Sequence, residues 1–79
     1  MSKPLKLLAK MRQNPNNWRI EELETIAKNY SINVRKSGGS HVVFEHPSWV
    51  ELLSVPSRRP IKAIYIKIFL LLVDALGDE

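Results

Sequence analysis

The sequence predicts a small α+β domain: a helix, three short antiparallel strands and a closing helix, with one extra helix in front. Three observations carry this. Ile20, Leu23, Ile26, Ala27 and Tyr30 recur at the spacing of one helix face. Three β-prone runs follow (residues 32–36, 41–45 and 49–55), separated by Ser37-Gly38-Gly39-Ser40 and by Pro47-Ser48. Short connections of that kind join neighbouring antiparallel strands. Residues 61–76 are then apolar over a length beyond most strands and end at Gly77, a residue suited to the position just past a helix.

The chain has 79 residues, enough for one domain with a marginal core and not for two. Residues 1–17 read as a basic helix and turn, residues 18–79 as the main body. There is no cysteine, which excludes disulfides and thiolate chemistry and fits a reducing cytoplasm. The N-terminus leads into no long apolar segment of the signal-peptide kind. Residues 64–73, interrupted by Lys67, are too short for a span of about 20 apolar residues. The expectation is a cytoplasmic protein with no membrane partner. A formal net charge of +4 points to a polyanion as partner, with a merely solvated basic surface as the plainer alternative.

In chain order, Leu5, Leu8 and Met11 define an amphipathic helix among Lys3, Lys6, Lys10 and Arg12. Packing with solvated lysines is the favoured role, phosphate binding the other. Asn14-Pro15-Asn16-Asn17 breaks it, and Trp18 is placed to staple the entry of the next helix. Glu21, Glu22 and Glu24 suit that helix's N-terminal dipole better than a metal. In the second strand Val42, Phe44 and His46 point one way and His41, Val43 and Glu45 the other. The third is read as residues 49–55, with Val50 and Leu52 opposite Trp49, Glu51, Leu53 and Val55. Pro56-Ser57-Arg58-Arg59-Pro60 makes a stiff basic loop. The last helix is apolar nearly all round, so its outer side calls for a partner, another copy of the chain or a different protein.

His41 is the chemically loaded residue, because an imidazole can serve as base and acid near neutral pH. His41 and His46 fall on opposite strand faces and cannot share an ion, so no metal is expected. No Walker-type phosphate loop is present, and no cofactor is implied. His46 before Pro47 reads as a turn residue, and Phe44 and Trp49 as core rather than base-stacking groups.

Gly39-Ser40-His41, Val42-Val43, Phe44 and His46-Pro47 stand in an order that resembles the HicA family of bacterial toxin–antitoxin toxins. The likeness runs on through Val55-Pro56, the basic linker and the closing helix, over about residues 20–76. The extra basic N-terminal segment and the more apolar last helix depart from the family pattern. The resemblance implies a fold similar to a double-stranded-RNA-binding domain, of α-βββ-α order, here with an added N-terminal helix. It also implies a metal-independent endoribonuclease that cuts mRNA, His41 as its catalytic residue, and a HicB-type antitoxin that covers His41. Sequence proximity to the turn adds Lys36 and Ser40 as supports for RNA or the transition state, with Arg58, Arg59 and Lys62 beyond them. Two other functions fit the same residues: an RNA-binding module that does not cut, and a structural partner, including a homodimer, built on the last helix.

Overall fold

The computed structural model describes residues 3–36, 39–58 and 60–76. Helix α1 (Lys3–Gln13) buries Leu8 and Met11, whereas Leu5, expected on the same face, is 39% exposed. Its Lys3, Lys6 and Lys10 face outward, as a packing helix requires. Near its end Arg12 grips Asp74 in the last helix through both guanidinium nitrogens, Nη1 lying 3.0 Å from Oδ2.

Helix α2 (Ile20–Asn29) buries Ile20, Leu23, Ile26 and Ala27 of the predicted stripe, while Tyr30, its last member, caps the helix and is half-buried. At its start the Glu22 carboxylate accepts the backbone N–H of Arg19 at 2.9 Å, satisfying a donor the helix leaves free. Its end has no glycine. Ser31 takes the left-handed conformation at φ 58°, and its N–H reaches the Lys28 carbonyl while that of Ile32 reaches Ala27. This is a Schellman closure, and it drops the buried Ile32 into the core at the mouth of the sheet.

Strands β1 (Asn33–Lys36), β2 (His41–Glu45) and β3 (Leu53–Pro56) form an antiparallel sheet in the order β1-β2-β3. Val34 pairs with Phe44 and Phe44 with Leu53, while Val42 pairs with Val55, so these side chains share one face. Val42, Phe44, Leu53 and Val55 are all buried on it. Helix α3 (Ala63–Ala75) inserts Ile66, Phe69 and Val73 into the same core. Phe69 meets Phe44 edge-on, ring centroids 5.4 Å apart.

Several boundaries correct the expectation. The first strand starts at Asn33 rather than residue 32, and the third at Leu53 rather than residue 49. For the third strand the physical reason lies in the register: β2 ends at Glu45 and Leu53 already pairs with Phe44, so beyond Leu52, which falls opposite Glu45, residues 46–51 have no strand to pair with and form the connection. Val50, read as strand, is fully exposed there. The last helix starts at Ala63, because Ile61 is held instead as a bridge to Trp18. The glycine stop expected at Gly77 lies outside the described residues. No described helix is long and apolar enough to cross a membrane.

Candidate functional site

His41 begins β2, directly opposite Pro56 at the end of β3, on the sheet face that turns away from the buried Val42 and Phe44. It is exposed, as its phase in the strand requires. Beside it opens a cleft of about 470 Å³ lined by Ser40, His41, Pro56, Arg58, Pro60, Lys62 and Tyr65. The residues come from three places in the sequence. Two backbone anchors bring them together.

The first anchor is the Ser40 carbonyl, which accepts both the backbone N–H of Ser57 at 2.7 Å and the Ser57 hydroxyl at 2.9 Å. This ties the β1–β2 turn to the chain leaving β3. The second is the bridge at Trp18, whose carbonyl accepts the N–H of Ile61 at 2.9 Å. Trp18 is itself fixed, with its ring buried and its indole N–H donated to the Asn14 carbonyl at 2.6 Å. The basic loop is thus held at both ends, and Arg58 lies between the two anchors. Lys62 then precedes the first turn of α3, and Tyr65 follows on it. A helix N-terminus carries partial positive charge, which adds to the two cations.

Of the residues singled out in the sequence, the structure gathers Ser40, His41, Arg58 and Lys62 in this cleft. Lys36 is placed elsewhere. It pairs with Val42, so it shares the buried face of the sheet and reaches α2, its Nζ lying 3.2 Å from Glu24 Oε2. The ammonium is near enough to form an ion pair but off the direction of a hydrogen bond, since that carboxylate oxygen is buried without one. Lys36 and Glu24 border a second hollow, with Glu21, Gly39 and Ser57, whose other wall is again His41. Arg59 lies outside the described residues. His41 therefore stands between a basic cleft and a hollow of mixed charge.

His46 behaves as a turn residue: its Nδ1 accepts the backbone N–H of Ser48 at 3.0 Å. Phe44 is core. Trp49 is half-buried and donates its indole N–H to the Leu72 carbonyl at 3.2 Å, which fastens the β2–β3 connection to α3. Ser57, Trp18 and Tyr65 are the site-building residues that sequence reasoning missed. Tyr65 alone left a signal, since three residues after Lys62 on a helix places both on one side. Among the described residues no group of three or more His, Asp or Glu is arranged to hold a metal.

The fold and site define a small α+β domain with one exposed histidine in a basic cleft. No family model matches this chain, and no curated protein or solved structure is significantly similar to it.

Proposed function

We propose that this chain is an endoribonuclease of the HicA type, the toxin of a toxin–antitoxin pair, with a fold like a double-stranded-RNA-binding domain. One observation carries the reading: the histidine of the Gly-Ser-His motif shares a cleft with Ser40, Arg58, Lys62 and the N-terminal turn of α3. RNA brings its own nucleophile, so the protein needs a base near the 2′-hydroxyl and positive charge around the phosphate. The neutral imidazole of His41 takes the 2′-hydroxyl proton, and the 2′-oxygen attacks the adjacent phosphorus. As the bond from phosphorus to the 5′-oxygen breaks, that oxygen takes a proton from solvent. The products are a 2′,3′-cyclic phosphate and a 5′-hydroxyl.

Arg58 and Lys62 are the groups that meet the charge gathering on the phosphoryl oxygens, together with the Ser40 hydroxyl. The cleft volume is in the range of small-ligand sites, about 300–1,000 Å³, and suits one nucleotide of a single strand. Tyr65 and the rings of Pro56 and Pro60 offer flat apolar surface to its base. A HicB-type antitoxin silences the protein by covering this cleft.

The test compares the native chain and its His41→Ala form for binding and cutting of one single-stranded RNA. Cutting lost with binding kept supports the proposal. Binding without cutting by the native chain refutes it and makes the domain an RNA-binding module.

A further inference from the structure

Helix α3 carries an apolar stripe that the chain's own core leaves uncovered. Ile64 is 60% exposed, Ile68 37% and Leu71 68%, and the exposed Ala75 continues the line. The spacing of four, three and four residues is that of the seam of a two-helix coiled coil, with Ile64 and Leu71 at d positions and Ile68 and Ala75 at a. The core-facing residues Ile66, Phe69 and Val73 lie on the opposite side. The seam is therefore surplus to the fold.

The charges beside the seam identify what covers it. Lys67 and Asp74 are seven residues apart, so both occupy g positions on the same flank. The other flank holds Tyr65 and Leu72, an aromatic and an aliphatic side chain with no acidic or basic residue beside them. In a parallel pair of α3 helices, g faces the partner's e position, and Lys67 and Asp74 would both lie against these two side chains. In an antiparallel pair, g faces g. Lys67 of each copy then meets Asp74 of the other, and the contact closes on itself with two-fold symmetry. In this register Ile64 packs against Ala75 of the second copy and Ile68 against its Leu71. Asp74 is already oriented by Arg12, and a carboxylate has lone pairs for a further donor.

We infer that α3 is a self-association surface on which a second copy of this chain docks antiparallel, sealed by reciprocal Lys67 and Asp74 pairs. The helix of 13 residues is about 20 Å long. An interface on that helix alone falls below the roughly 800 Å² per partner of a standard complex, so the dimer is a weak one. The inference does not rest on the proposed function, because none of the seam residues Ile64, Ile68, Leu71 and Ala75 lines the cleft around His41, which meets the seam's flank at Tyr65 alone.

Sedimentation velocity of the full chain from about 10 µM to about 1 mM reads the association, a range that brackets a weak dimer. The expected result is a rise from monomer toward twice its mass, abolished by Leu71→Glu and weakened by Lys67→Glu. Both residues are exposed, so unchanged circular dichroism is expected and confirms that each variant folds. Orientation is read by mixing an Ile64→Cys chain with an Ala75→Cys chain and adding a short thiol-bridging reagent, since the native chain has no cysteine to interfere. Antiparallel pairing yields bridges between the two different chains. A monomer throughout the range, a dimer insensitive to Leu71→Glu, or bridges joining two Ile64→Cys chains would overturn the inference, the first leaving the stripe to a different protein.

Discussion

Replacing Ser57 by alanine tests the anchoring of the site. The substitution removes the hydroxyl that donates to the Ser40 carbonyl at 2.9 Å and keeps the backbone bond at 2.7 Å. One intramolecular hydrogen bond contributes about 0.5–1.5 kcal/mol, and this one lies at the surface, where water replaces the lost donor. A loss of about 0.5–1 kcal/mol is therefore expected, or a fall of roughly 3–6 °C in Tm for a domain of this size. Urea and thermal melts followed by circular dichroism measure it. RNA cutting, assayed well below Tm, should fall by a factor of about 3–10, the order of 1 kcal/mol in the barrier, because His41 and Arg58 lose part of their mutual alignment. Unchanged stability and unchanged cutting together would refute the anchor. A loss of cutting as deep as that of His41→Ala would refute it differently, by giving the Ser57 hydroxyl a direct part in the chemistry.

Three further outcomes follow from named residues. Ser31→Gly should stabilise the fold by about 0.5–1 kcal/mol in urea melts, because φ 58° at the end of α2 costs a side chain that glycine lacks. Arg58→Ala combined with Lys62→Ala should weaken RNA binding and flatten its dependence on salt, measured by fluorescence anisotropy at several salt concentrations, since the proposed site loses two of its cations. The third concerns acid. Hydrogen bonding from Arg12 holds the Asp74 carboxyl below its ordinary 3.8. Its contribution is complete above the unfolded value and lost as pH falls through the lower folded one. The Asp74→Asn chain should therefore lose less stability than the native chain between about pH 5 and pH 2. The pair is nearly half exposed, so the difference stays within about 1 kcal/mol.

The phase of β2 was legible from its residues, since Val42 and Phe44 alternate with His41 and the buried face admits one register. The α2 stripe and the turn role of His46 were legible for the same local reason. The start of β3 was not. Trp49 to Leu52 alternate well enough for a strand, but a strand needs a neighbour, and how far β2 extends is settled by pairing rather than by pattern. Lys36 shows the same limit at the site. Its nearness to the turn suggested a place beside His41 over the phosphate, whereas the register puts it on the face of Val42 and within reach of Glu24. The two anchors, Ser57 to Ser40 and Ile61 to Trp18, join residues 17 and 43 positions apart, and neither residue type announces its partner.

The chemistry assigned to His41 is tested most directly by the ends it leaves on RNA. The native chain and its His41→Ala form, both shown to be folded, are incubated with a single-stranded RNA in excess EDTA, and the fragment termini are identified by mass. The expected products are 2′,3′-cyclic phosphates and 5′-hydroxyls, from the native chain alone. Fragments with 5′-phosphates, equal cutting by the His41→Ala chain, or RNA left intact by the native chain would contradict it.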